Sequence, residues 1–170
     1  MDNIILIGMP GCGKSTIGVV LAKVMGYHFI DADLLIQEKE GRLLSEIIEE
    51  KGTEGFNQIE NEVNSTIVID RAVVATGGSV VYGKEAMAHF GKTGVIIYLR
   101  LQLNELQNRL GDLAERGISM KDGQTLKDLY DERTPLYEKY AQITVDLDGL
   151  IIRESVMLIR ENYISYLKVK

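Results

Sequence analysis

Residues Gly8-Met9-Pro10-Gly11-Cys12-Gly13-Lys14-Ser15-Thr16 carry the glycine spacing and the Lys-Ser pair of a phosphate-binding loop. A polyphosphate must shed water and have its charge met by donors that cost little to organise. Glycines open backbone angles closed to other residues, so successive N–H groups can turn inward as an anion nest. Pro10 stiffens the loop, and Gly11, Cys12, Gly13 and Thr16 would contribute to its cradle. Lys14 would add a point charge at the β and γ phosphates, and Ser15 would ligate Mg²⁺. The helix opening at Lys14 would present its positive end to the same phosphates. The chemistry implied is binding of a nucleoside triphosphate.

Further along, Asp31 and Asp33 stand two apart at the end of an apolar run. In extended geometry both carboxylates project to one side, one to hold Mg²⁺ through water and the other to take a proton or hydrogen bond from a substrate hydroxyl. The competing use is to cap the next helix, for which Asp33 before Leu34-Leu35-Ile36 is well placed. Thr76-Gly77-Gly78 offers unobstructed amides to a carboxylate or hydroxylated ligand, or forms a plain tight turn. Arg109, Arg116 and Arg133 are ordinary charges in isolation, but they surround a segment, 111–123, that has glycines and mixed charges without sustained period and reads as a mobile loop.

The elements that must position these groups follow from periodicity. Ile4-Ile5-Leu6-Ile7 is a buried strand, and Ile17, Val20, Leu21 and Val24 give a helix from Ser15 to Met25 that stops at Gly26. Strands are expected over 27–30, 72–75, 94–99 and 143–145. Helices are expected over 33–39, 44–50, 83–90, 101–110, 125–140 and 151–167, with Gly52 and Gly55 breaking the pattern before another over 56–70. Ile67-Val68-Ile69-Asp70 also resembles a strand ending in an acid, but Ala72–Ala75 alone can supply that strand, which favours helix. Five strands alternating with helices predict an α/β fold, a three-layer α/β/α sandwich of P-loop NTPase type around a five-stranded, mainly parallel sheet, with ligands beyond the carboxyl ends of the strands.

Length and composition narrow the class. The 170 residues suit one well-buried core, read as one domain, 1–170. A net charge of −6 argues against a nucleic-acid surface. The single cysteine, Cys12, fits a reducing compartment, no apolar run approaches a membrane span, and the N-terminus lacks a basic leader, so a cytoplasmic location is expected. His28 and His89 lack metal-ligand spacing, and no Asn-Lys-x-Asp guanine-recognition sequence occurs.

Taken together the pattern resembles the shikimate kinase family, in order and spacing, from the first strand through Tyr140. The resemblance rests on Gly8 to Thr16, Asp31-Ala32-Asp33, Phe56-Asn57-Gln58-Ile59-Glu60, Thr76-Gly77-Gly78, the loop arginines and Glu132-Arg133-Thr134-Pro135-Leu136-Tyr137. It implies ATP- and Mg²⁺-dependent phosphorylation of a small hydroxylated metabolite, shikimate first, in aromatic amino-acid biosynthesis; a monomer is expected, and charge and hydropathy give no sign of nucleic-acid or membrane partners. It further implies that Asp33 binds substrate hydroxyls and assists proton removal, that Asp31 supports Mg²⁺, and that Arg109 stacks near adenine. Arg116, in a mobile lid over 111–124, would reach the transferring phosphate, and Arg133 would grip the substrate carboxylate with Gly77 and Gly78. Residues 33–62 would form the substrate-binding segment.

The departures from that pattern carry information too. Asn57 stands where the family's Phe-Arg-x-x-Glu sequence has a second carboxylate-binding arginine. An uncharged amide forms no guanidinium fork, which weakens a carboxylate by about 1.5–3 kcal/mol, tenfold to a hundredfold or more. Glu60 is expected to lose its partner and repel an anionic substrate, and Ser79, in place of the third glycine, reads as a mild change. Arg116-Gly117-Ile118 replaces Arg-Pro-Leu and adds flexibility. Two other functions stay open: a kinase of another polyol or cyclitol, and an ATP-binding regulatory module without metabolite chemistry.

Overall fold

A computed structural model describes residues 3–110 and 118–169. Five strands, β1 (Asn3–Ile7), β2 (His28–Asp31), β3 (Ala72–Ala75), β4 (Gly94–Arg100) and β5 (Ile143–Asp146), form one sheet in the order β2-β3-β1-β4-β5, and every pairing is parallel. Parallel strands need crossovers, supplied by α1 (Lys14–Met25), α2 (Ala32–Glu40), α3 (Leu44–Ser65), α4 (Lys84–Thr93), α5 (Leu103–Leu110) and α6 (Leu126–Tyr140), with α7 (Ile152–Val169) closing the chain.

Burial explains the strand text. All of β1 and β3 is buried, so those strands are continuously apolar apart from Asn3. At the sheet edge β5 alternates, with Ile143 and Val145 inward and Thr144 and Asp146 outward. Helix α1 packs Ile17 and Leu21 into the main core, beside Ile5, Ile97 and Leu99 of the sheet. A second small core, Ile36, Ile47, Phe56 and Val63, joins α2 to α3. The sheet's carboxyl edge is stitched by Thr76, whose N–H and hydroxyl both donate to the Leu6 carbonyl at 3.2 and 2.9 Å. The ends of β1, β2 and β3 therefore open into one crevice at the place where the strand order reverses, the usual position for a ligand in such sheets.

Three element boundaries differ from expectation. Helical structure ends at Ser65, not at residue 70, and Ile67–Asp70 is neither helix nor strand. Thr66 turns its hydroxyl onto the Val63 carbonyl at 2.9 Å, and the β-branched residues that follow favour leaving a helix. Gly52 alone interrupts α3, with φ 68° and ψ 178°, whereas Gly55 stays helical. The two aspartates do not share an extended strand: β2 stops at Asp31, and Asp33 already lies in the first turn of α2. The expected lid, 111–124, lies in part outside the described residues, and Arg116 lies wholly outside them.

Candidate active site

The phosphate loop joins β1 to α1 beneath this crevice. Gly8 has φ 149°, and a Cβ there would stand 2.7 Å from the Leu99 carbonyl oxygen, so the loop's first position excludes other residues. Gly13 precedes α1 in a left-handed conformation with no side chain capping the helix, so the amides of the first turn are not used by a capping group. The Lys14 ammonium is buried and donates to the carbonyls of Gly8 and Met9 at 2.8 and 3.0 Å, bracing the loop from within. Cys12 is fully buried beneath the loop, where its side chain fills space, and Ser15 and Thr16 are exposed at its mouth.

Over the loop lies a cleft of about 360 Å³. Its walls include Gly11, Gly13, Lys14, Ser15 and Thr16 from the loop, and Asp33, Phe56, Glu60, Gly77, Gly78, Ser79, Ser119 and Arg133 from five other parts of the chain. Arg109 is elsewhere: it pairs with Glu105 one helical turn earlier at 3.0 Å and lines a second cleft of about 660 Å³ with Gly11, Gly13, Thr16, Leu147 and Ile151. The phosphate loop is thus the shared wall of two clefts. One is polar and holds buried carboxylates; the other is open and partly apolar.

Asp31 and Asp33 have separate duties. Asp31 caps α2, its Oδ1 accepting from the Asp33 N–H at 3.0 Å, so the capping role expected of Asp33 falls to its neighbour. Oδ2 of Asp31 is not used by the cap. The Ser15 hydroxyl is an oxygen donor too, the kind a hard cation such as Mg²⁺ takes, but Asp31 is not among the residues lining the cleft, whereas Ser15 is. Asp33 points into the cleft, and burial, reinforced by Asp31 and opposed by Lys14, pushes its pKa up to about 6.

Glu60 is 1% exposed, and its pKa is pushed up to about 7, chiefly by burial. Ser79 opposes this by donating its hydroxyl to Oε2 at 2.5 Å; Asp33 adds to it, and Arg133 and Lys14 also oppose it. Glu60 lacks the arginine partner, as expected, but it is not without a donor. Ser79, which read as a mild change, supplies the missing donor.

Arg133 is buried on α6. Its Nη2 donates to the Ser119 carbonyl at 2.6 Å, its Nε reaches the Tyr82 hydroxyl at 3.4 Å, and its guanidinium lies over the Tyr82 ring. Tyr82 in turn donates to Glu132. One turn on from Arg133, Tyr137 stacks against Tyr98 and donates to the Gly78 carbonyl at 2.5 Å, which fixes the glycine turn against α6.

Asn57 is not on the wall. Phe56 and Glu60, four residues apart, occupy the row of α3 that faces the cleft, and the residue between them in register lies about 100° round the helix. Its Oδ1 accepts from the Ser119 hydroxyl at 3.2 Å, so the short amide ties α3 to the described part of the expected lid. Thr53 adds a second tie, its hydroxyl donating to the Met120 carbonyl at 2.9 Å.

Sequence reasoning did not mark Ser119 or Tyr82, and it named Ser79 and Tyr137 without giving either a role. Ser79 carried a signal as the replaced third glycine, and Tyr137 in its i,i+4 spacing from Arg133 on a helix. The contacts of Ser79, Ser119 and Tyr82 join residues 14 to 62 positions apart.

A parallel sheet with a phosphate loop at its carboxyl edge, facing buried acids and a buried arginine across a small cleft, defines an ATP-dependent kinase of small molecules. The shikimate kinase family model matches residues 10–163. A shikimate kinase of Thermodesulfovibrio yellowstonii is 37% identical over 166 residues, covering 96% of this chain and 95% of its own. Among solved structures, shikimate kinase from Acinetobacter baumannii in complex with shikimate superposes with a TM-score of 0.87 at 28% identity, covering 98% of this chain and 94% of the other. The Aquifex aeolicus shikimate kinase gives 0.82 at 28%, covering 97% and 98%. The chain belongs to the shikimate kinase family.

Proposed function

We propose that the protein transfers the γ-phosphoryl group of ATP to a hydroxyl of shikimate. The observation that carries this reading is one cleft of about 360 Å³ lined by the phosphate loop, the half-buried acid Asp33 and the buried guanidinium of Arg133. A γ-phosphate cradled at Gly11–Thr16 then faces an acceptor held from the opposite wall, as in-line transfer requires.

In this reading the amides of Gly11, Cys12, Gly13, Lys14, Ser15 and Thr16 receive the phosphates, and the nucleoside extends into the second cleft toward Arg109. Lys14 exchanges its loop carbonyls for the β and γ phosphate oxygens, where its charge stabilises the transferring group. Ser15 and the free oxygen of Asp31 would hold Mg²⁺, whose charge neutralises the phosphate oxygens when bound. Asp33 orients the acceptor hydroxyl and takes its proton; a carboxylate with its pKa at about 6 is a stronger base than an exposed one and is still ionised at neutral pH. Arg133 pairs with the acceptor's carboxylate, and Gly77 and Gly78 give it close approach to backbone. Arg116 would close on the phosphoryl group from the lid. A cytoplasmic monomer is the accompanying expectation.

A second acceptor class is favoured by one observation: Asn57 is engaged with the Ser119 hydroxyl, and among the described residues the cations acting on Glu60 are Arg133 and Lys14. A polyol without a carboxylate would ask less of such a wall. Initial rates with MgATP across shikimate, carboxylate-free cyclitols and sugar acids separate the two. The proposal expects saturable turnover of shikimate with the highest kcat/KM of the set; a carboxylate-free polyol ahead of shikimate would overturn it.

A further inference from the structure

Glu60 and Asp33 each leave one oxygen idle. Among the described residues, Oε1 of Glu60 and Oδ1 of Asp33 are fully buried and have no hydrogen-bond partner. Both lie against Gly77: a Cβ built there would collide with Oε1 of Glu60 and stand 3.0 Å from Oδ1 of Asp33. Buried acceptors without donors are costly, and native structures keep them where a ligand or water completes the bonding. Two such oxygens beside one glycine on a cleft wall suit a ligand with two adjacent hydroxyls, one donating to each acid.

That arrangement depends on which way the Glu60 carboxyl is turned. Its backbone is held by α3, where the Asn64 side chain also donates to the Glu60 carbonyl at 2.8 Å. The carboxyl itself has one hydrogen bond among the described residues, from Ser79 to Oε2 at 2.5 Å. Ser79 is 4% exposed and lies directly after the Gly77-Gly78 turn, which Tyr137 pins in place. Among the described residues, the charged groups facing Glu60 are Asp33 from α2, Arg133 from α6 and Lys14 from α1. They set its charge, and they fix no rotation.

We infer that Ser79 is a positioning residue for acceptor binding: by holding Oε2 of Glu60 it aims Oε1 beside Oδ1 of Asp33, making a paired acceptor for a vicinal diol. The inference rests on the kinase reading above for the identity of the diol. Ser79 touches no reacting atom and acts through Glu60.

The test compares Ser79→Ala with Ser79→Thr, which keeps the hydroxyl, in initial-rate kinetics with MgATP and shikimate. Loss of a hydrogen bond to an ionisable group corresponds to about a tenfold effect. Ser79→Ala should raise KM for shikimate about tenfold, with kcat changed less than about threefold and KM for ATP unchanged, while Ser79→Thr stays within about threefold of the parent. A second arm reads the bond without any acceptor. In ligand-free protein with ¹³C at the glutamate carboxyls, the Glu60 resonance, assigned by its absence in Glu60→Gln, should titrate at higher pH in Ser79→Ala than in the parent, because a donor that favours the carboxylate has gone. An unchanged KM in Ser79→Ala, equal losses in both variants, or an unmoved Glu60 midpoint would overturn the inference. A parent enzyme that turns over no shikimate would instead overturn the proposed acceptor, and the Glu60 titration would then decide alone whether Ser79 governs that carboxyl.

Discussion

The two walls of the cleft are built on different principles. The donor wall, Gly8 to Thr16, is one continuous stretch whose backbone amides and helix terminus do the binding in the proposed function, and Lys14 is braced by carbonyls of that stretch. The acceptor wall is assembled from α2, α3, the turn after β3, the described part of the expected lid and α6, and its central groups, Glu60 and Arg133, are buried. Backbone recognition suits a phosphate chain common to many reactions. Buried side chains suit discrimination, because an ill-fitting ligand leaves a desolvated acid or guanidinium without a partner.

Breaking the donor wall should cost most. Lys14→Met removes the charge at the transferring group, and kcat for ATP-dependent phosphoryl transfer is expected to fall by about a thousandfold or more. Near-normal turnover in a coupled ADP assay would contradict the assignment.

This contrast also explains what the sequence could disclose. The phosphate loop was legible because its function is local: glycine spacing, a lysine and a serine within nine residues after a buried strand. The strands of the sheet were legible for the same reason, being short apolar runs between turn residues. Glu60 and Ser79 were misread because their bond spans 19 positions and exists only when α3 packs beside the β3 turn. Asn57 resembled a substrate ligand by its place in a motif, yet the helical rotation that turns Phe56 and Glu60 toward the cleft turns Asn57 to Ser119. The extended geometry expected of the two aspartates failed because β2 stops at Asp31, whose side chain caps α2 and leaves Asp33 in the first helical turn.

The acceptor wall should reveal itself in the pH dependence of stability. Glu60 has its pKa raised to about 7 from an ordinary 4.5, so the folded state retains a proton that the unfolded chain releases. Stability from this group is fully present below about 4.5 and is lost as pH rises through about 7. Compared across that window, Glu60→Gln should gain on the parent by about 3 kcal/mol of unfolding free energy, measured by urea denaturation at several pH values. A difference that does not vary with pH would show that Glu60 titrates as an exposed carboxyl does.

Smaller effects sharpen the specificity half. Arg133→Lys keeps the charge and loses the planar fork, and should raise KM for shikimate by about ten- to fiftyfold while KM for ATP is unchanged. Parallel losses for both substrates would place Arg133 in general support of the fold. Asn57→Arg adds a guanidinium near the acceptor wall and should lower KM for shikimate by about tenfold. No comparable gain is expected for a polyol without a carboxylate, and an equal gain for both would detach position 57 from carboxylate recognition.

The central claim is that both walls serve one transfer. Incubation of the protein with MgATP and shikimate, followed by ³¹P nuclear magnetic resonance, tests it most directly. The account predicts loss of the γ-phosphate signal with stoichiometric growth of a phosphate monoester that depends on shikimate. Release of inorganic phosphate alone, or no shikimate-dependent change, would contradict it.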